Sequence, residues 1–299
     1  MMNRSKRILG AAGVVAAAAL FAAAHSRAGT VCISTIYAHI TGRGDTIDRT
    51  TGNLTESGKS FAYIFKGSPR PSWVLLPYQD GTTWNGYPAI GLEVQPTGSP
   101  LPTTDDGTDK VNLTIAQFPI SQDRYYGFAM KLGNFGSPNQ EILVAQWWQG
   151  VPYSPPMSLH IIPGTNFLCE MQVRNNNTGG NPNAPAIHIP VGSCMPGDWQ
   201  TFVVYTRPHY VGSPGTGEVT VWHNDMSKPV ADWTGDVGYD PSVPVNTNGT
   251  PGQPQSPNLP ASSWTMYFGP YGDHDTINRQ TYFANIAVAS TMQGANPNQ

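Results

Sequence analysis

RYYGFAMKLGNFGSPNQEILVAQWWQGVPYSPPMSLHII (residues 124–162) carries the pattern that decides the fold. Tyr125 to Leu132, Ile142 to Trp148 and Met157 to Ile162 are short runs rich in aromatic and β-branched residues. Gly, Asn, Ser and Pro separate them, the residues that turns need for their backbone angles. No run keeps apolar residues at helical spacing. Three strands in succession without a helix between them predict antiparallel pairing.

The same reading extends outward in both directions. Upstream, Phe61 to Phe65, Ala89 to Val94 and Lys110 to Ala116 have this character. Downstream come Phe167 to Val173, Ala186 to Pro190, Trp199 to Thr206, Gly217 to His223, Ser263 to Phe268 and Thr281 to Ala289. So many strands, with no internal repeat and no heptad, predict an all-β fold of two packed antiparallel sheets. Two connections are long, Gln95 to Asp109 with its acidic cluster (Asp105, Asp106, Asp109) and Ser227 to Pro260. Loops of that length serve as functional rims or as cover for sheet edges.

The composition agrees, with 32 glycines, 28 prolines, 10% aromatic and only 12% charged residues. Arg4, Lys6 and Arg7 precede an apolar stretch from Ile8 to Ala24, and Ser26-Arg27-Ala28 offers small residues for cleavage. Residues 1–28 are therefore expected to be a signal peptide, 29–292 a single domain, and 293–299 a disordered tail. The expected protein is secreted or periplasmic, monomeric, and free of the membrane once the signal is cleaved. Removing the signal leaves 12 of the 16 basic residues against all 19 acidic ones, a net charge of about −7. That balance excludes a nucleic-acid partner, which calls for clustered Lys and Arg. Three cysteines in an exported chain allow one disulfide. Cys169 and Cys194 flank the turn-rich stretch Asn175 to Pro185, so they are the expected pair, with Cys32 left over.

Four strings resemble the polysaccharide lyases that include heparin lyase I, glucuronan lyase and alginate lyases. They are Arg124-Tyr125-Tyr126-Gly127-Phe128; Gln146-Trp147-Trp148 with Pro155-Pro156-Met157-Ser158-Leu159; Gly197-Asp198-Trp199 with Gly217 to Trp222; and Tyr267-Phe268-Gly269-Pro270-Tyr271 before Tyr282-Phe283-Ala284-Asn285. They run in the family's order from Tyr125 to Ala289. The resemblance implies an antiparallel β-sandwich of the concanavalin-like jelly-roll type. It also implies cleavage of a uronate-containing polysaccharide by β-elimination. That reaction needs a group to neutralise the uronate carboxylate, a base for the adjacent carbon and an acid for the leaving oxygen.

Carried over position by position, the resemblance makes Tyr271 the catalytic acid/base and Gln146 the partner of the carboxylate. Alternation places Gln146 and Trp148 on one strand face and Trp147 on the other. Trp148 stands where the family has a histidine, and an indole is no base, so Trp148 is expected as a stacking platform. Lys110, in Lys110-Val111-Asn112-Leu113, takes the place of a family arginine and lacks its bidentate fork. Tyr267 and Arg124 complete the substrate-binding set. His160, His39 and His274 are the candidates for the missing histidine function, with His160 foremost and pointing opposite to Leu159. Asp273-His274-Asp275 offers charged-form stabilisation of its histidine or a weak oxygen-rich metal loop. No metal ligand set and no cofactor are assigned, with calcium left open.

Other chemistries find no support. There is no Gly-x-Ser-x-Gly, no His-Glu-x-x-His, no phosphate loop and no zinc-type cysteine spacing. No strand carries the two glutamates that a hydrolase would direct into a groove. The remaining alternatives are a non-catalytic carbohydrate-binding jelly roll using Trp148, Trp147 and Tyr267, and a secreted structural or adhesive β-sandwich with no sugar role.

Overall fold

The computed structural model describes residues 34–43, 46–48, 53–56, 59–61, 63–65, 70–101, 105–150, 154–164, 166–175, 186–210, 215–242 and 261–299. The expected signal peptide and Cys32 lie outside these residues. Ser34 to Gln299 form one unit, and among the described residues no helix is long and apolar enough to cross a membrane.

The first seven-stranded sheet contains β1 (Ile36–Ile40), β8 (Ile90–Val94), β10 (Arg124–Phe135), β15 (Trp199–Arg207), β16 (Gly217–His223), β17 (Ala231–Gly235) and β19 (Arg279–Ala289). Its order is β1-β19-β10-β15-β16-β17, with β8 pairing the other end of the edge of β19 that β1 uses. The second is built from β5 (Tyr63–Phe65), β9 (Thr108–Pro119), β11 (Ile142–Trp148), β12 (Met157–Ile162), β13 (Leu168–Val173), β14 (Ile187–Ser193) and β18 (Ser263–Asp273), in the order β14-β13-β12-β11-β18-β9-β5. Small side sheets come from β2 (Thr46–Ile47), β3 (Leu54–Glu56) and β4 (Lys59–Phe61), and from β6 (Thr83–Trp84) with β7 (Tyr87–Pro88). Every ladder within the sheets is antiparallel, as the turn-bounded runs predict.

One hydrophobic cluster joins the two large sheets. Phe128 and Phe283 of the first sheet meet Phe268 of the second, each at 4.9 Å between ring centroids. A fully buried phenylalanine contributes about 1.5–3 kcal/mol, so this cross-sheet trio is a main tie of the sandwich. Cys169 and Cys194 form the expected disulfide, with 5.8 Å between Cα atoms. It links the head of β13 to the residue just past β14.

Two expectations need correction. Ser227 to Pro260 is not loop throughout, because β17 lies inside it and pairs with β16; alternating Ala231, Trp233 and Gly235 are half-buried and complete the sheet edge. Residues 293–299 are not a loose tail. Thr291 caps a single helical turn, α1 (Met292–Ala295). The chain then lies against the outside of the first sheet, where Asn285 Nδ2 donates to Pro297 O at 2.8 Å and Trp84 Nε1 to the same oxygen at 3.3 Å. The seat exists because Gly127 has no side chain: a Cβ there would stand 1.6 Å from Ala295 O.

Candidate active site

In the second sheet, Val111, Leu113, Trp147, Leu159, Met171 and Phe268 point into the core. Their strand neighbours point away from it and build a polar, aromatic face. Register aligns that face in rows across the strands. One row runs Lys110 (β9), Tyr271 (β18), Leu143 (β11), His160 (β12), Glu170 (β13). The next runs Thr114, Tyr267, Gln146, Ser158, Gln172, His188.

The rows depend on a bulge. Leu143 and Gln146 are three apart, so plain alternation would put them on opposite faces. The register shift between Leu143 and Ala145 inserts an extra residue relative to β12, and both side chains come to the same face. Opposite it, β18 shifts at Gly269, whose φ of +130° suits glycine. A Cβ at Gly269 would lie 2.1 Å from Val111 O. Asn112 Nδ2 donates to Gly269 O at 2.7 Å and so ties β9 to this irregular spot.

Lys110 Nζ lies 5.1 Å from the Tyr271 ring centroid and 5.7 Å from that of Tyr267. Trp148 meets Tyr267 edge to face at 5.8 Å. Gln146 is nearly sealed, and its Nε2 donates to Asn112 Oδ1 at 3.2 Å. A cavity of about 180 Å³ opens on this face, lined by Thr108, Glu141, Leu143, His160, Tyr271, Gly272 and Asp273. A larger one, about 400 Å³, lies apart beside Ile47, Leu76, Pro77, Tyr78 and Gln79. Its one acid–base group, the Tyr78 hydroxyl, is occupied by Glu93 at 3.0 Å and by Gln280. The smaller cavity is therefore the better reaction site.

His160 sits at the floor of that cavity. Its Nε2 lies 2.6 Å from Ser158 Oγ, and its Nδ1 meets Glu141 Oε1. Burial holds the imidazole below the usual histidine range, against the opposing pull of Glu141. The ring is therefore neutral at pH 7, with Nδ1 in close contact with the carboxylate and Nε2 hydrogen-bonded with the Ser158 hydroxyl. Hydrogen bonding from His160 in turn holds the Glu141 carboxyl below the usual carboxylate range, so it is ionised. Gln172 Nε2 also donates to Glu141 Oε1. Ser158 is fully buried, so this Glu–His–Ser chain is no hydrolase triad with a reachable nucleophile.

The structure thus brings together Tyr271, His160, Gln146, Lys110, Tyr267 and Trp148 on one face. Arg124 is elsewhere. It begins β10 in the other sheet, is 3% exposed, lies 3.9 Å over the Tyr37 ring and donates to Gln122 Oε1 at 2.6 Å. Its resemblance-based place in the binding set is corrected: the string it opens is a strand of the other sheet, and its guanidinium is buried against the Tyr37 and Phe118 rings. His39 is also in the first sheet, 2.7 Å from Asn285 Oδ1.

His274 lies just beyond β18, and its charge partners are not its sequence neighbours. Nε2 is 2.8 Å from Asp105 Oδ1 and Nδ1 is 3.1 Å from Asp109 Oδ2. Asp109, 1% exposed, also accepts from Trp73 Nε1 (2.8 Å), Thr97 Oγ1 (2.6 Å) and Arg279 Nη2 (3.0 Å). The acidic loop is thus a structural knot beside the cavity. Among the described residues no group of three or more His, Cys, Asp or Glu is arranged to hold a metal ion. Sequence reasoning missed Glu141, because without the bulge it would face the core and only register reveals it.

Two stacked antiparallel sheets with a reactive polar face define a jelly-roll protein whose site lies across the strands of one sheet. Residues 79–287 match the polysaccharide lyase family, and the chain belongs to it. In fold it is similar to the endo-β-1,4-glucuronan lyase of the fungus Trichoderma reesei, at 14% identity and a TM-score of 0.52 over 79% of this chain and 98% of that one. It also matches alginate lyase A1-II', a member of polysaccharide lyase family 7, at 14% identity and a TM-score of 0.43 over 71% and 82% of the two chains. No curated protein sequence matches the chain.

Proposed function

We propose that this chain is a secreted lyase that cleaves a uronate-containing polysaccharide by β-elimination, with Tyr271 handling the proton. The observation that carries the reading is the pairing of Lys110 with Tyr271, which lines a cavity together with His160. Lys110 supplies positive charge for the uronate carboxylate, and Gln146 adds an amide beside Tyr267. With the carboxylate neutralised, the proton on the adjacent carbon becomes acidic enough to leave. Tyr271 takes part in removing it and in protonating the oxygen that departs as the new double bond forms. His160, neutral and engaged by Glu141 and Ser158, is the second candidate proton-handling group, one strand beyond Leu143, and acts only if substrate displaces one of those partners. Trp148 and Tyr267 form the sugar platform in the next rows. Secretion is supported by the basic, apolar and small-residue sequence of the first 28 residues and by the Cys169–Cys194 bridge.

The test is ultraviolet absorbance of the conjugated product during incubation with glucuronan, alginate, heparin and pectin. Absorbance rises with at least one of them, and Tyr271→Phe lowers the rate by about 10²- to 10⁴-fold, the usual share of a general acid–base group. A flat trace with folded wild-type protein would reject elimination and leave carbohydrate binding centred on Trp148.

A further inference from the structure

The charges on the site face are sorted by position. Lys110 stands at the β9 end of the cavity row, against Tyr271. Glu141 stands on the other side of Leu143, over His160, and Asp273 closes the rim. Glu170, at the far end of the row, is buried and engaged by His188, which leaves Glu141 as the carboxylate over the row. Its Oε1 is engaged by His160 and Gln172, while among the described residues nothing engages Oε2. Its side chain is 38% exposed, so this second oxygen is offered to whatever enters. The other cation on the face, Arg174, is directed into the ladder, with Nη2 donating to Gln172 Oε1 at 2.9 Å.

A polysaccharide crossing this row meets a cation at one sugar position and a fixed carboxylate at the next. A homopolymer of uronates would bring its neighbouring carboxylate against Glu141, and like charges at close range repel. A neutral sugar would instead donate a hydroxyl to the open Oε2. Resting on the lyase reading, we infer that Glu141 is a specificity-determining residue and that the preferred substrate has a neutral sugar beside the uronate at which the chain is cut.

Binding is measured with Tyr271→Phe protein, and cleavage with the wild type. The two probes are glucuronan, which carries a carboxylate on every residue, and heparosan, in which glucuronate alternates with N-acetylglucosamine. Heparosan is favoured in both assays. Glu141→Gln, which keeps a carbonyl oxygen for His160 and Gln172, shifts the binding preference toward glucuronan by about fivefold, the scale of one partly exposed charge interaction. Glu141→Lys shifts it further. A preference for glucuronan in the starting protein, or an unchanged preference in both variants, overturns the inference. Loss of the lyase reading shows separately, as no double bond from any polymer, and the binding ratios still decide the role of Glu141.

Discussion

At the scale of single residues, Tyr271 and Lys110 meet because they are register partners on β18 and β9. The motif order suggested Tyr271, a separate match to a family arginine string suggested Lys110, and alternation placed Gln146 and Trp148 on one face, where both meet Tyr267. Arg124 shows where such reasoning stops, because a string can match a family strand without saying which sheet that strand joins. His274 shows a second limit. Its neighbours Asp273 and Asp275 suggested a charged ring, yet the carboxylates that act on it are Asp105 and Asp109. Burial opposes its charge, but those two carboxylates outweigh it and its pKa is raised. A raised pKa means that the folded state holds the proton more tightly. The resulting stability is fully present below the unfolded value of about 6.5 and is lost as pH rises through the folded value. Arg279, on the far side of Asp109, pairs with it at 3.0 Å and offsets part of its charge. His274→Asn should therefore cost on the order of 1 kcal/mol near pH 5.5 and less near pH 9. Urea denaturation at both pH values checks this, and an equal loss at both would contradict it.

At the scale of elements, strands were legible as alternating aromatic and β-branched runs, but their irregularities were not. The bulge at Leu143 to Ala145 decides that Glu141 and Leu143 face the site, and nothing in the local composition marks it. Gly269, its counterpart on β18, gives a direct test. Gly269→Ala must relieve a contact with the Val111 backbone in a conformation that alanine disfavours. It should cost about 1–3 kcal/mol. It should also lower activity beyond what thermal melting explains, because Tyr271 follows two residues later. Activity that stays normal well below the melting point would show that the bulge does not position Tyr271. The Cys169–Cys194 bridge closes a span of 25 residues. Loop-closure entropy assigns it about 3.5 kcal/mol. A Cys169→Ala, Cys194→Ala double variant should lose stability on that scale in denaturant, with β13 and β14 first to exchange amide hydrogens.

At the scale of the whole molecule, the sandwich was legible from composition, because a chain so poor in helical periodicity and so rich in turn residues has few other ways to bury its aromatics. The C-terminal turn was not legible, since its seat is made by Gly127 and Val203 on distant strands together with Ala289. Net charge belongs to this scale too. With its first 28 residues removed the chain carries about −7, so it repels a polyanion at long range while Lys110 attracts it at contact. Raising ionic strength from about 0.01 M to 0.15 M shortens the Debye length from about 30 Å to 8 Å. The repulsion should fade before the contact does, and kcat/KM on an acidic polysaccharide should rise over this interval. A monotonic fall would mean that local attraction governs encounter.

The pairing of β1 with β19 brings the two ends of the sandwich together: Ser290 N donates to Thr35 O at 2.9 Å, and Thr291 Oγ1 donates to Ser34 Oγ at 2.8 Å. Ends that touch can be spliced. A circular permutant that joins Gln299 to Ser34 through a short flexible linker, and opens instead at the exposed Asp225–Ser227 turn between β16 and β17, would keep both sheets and every row of the site intact. The site face would then be carried on a chain whose free ends emerge from the opposite sheet, where cargo or a surface tether could be attached.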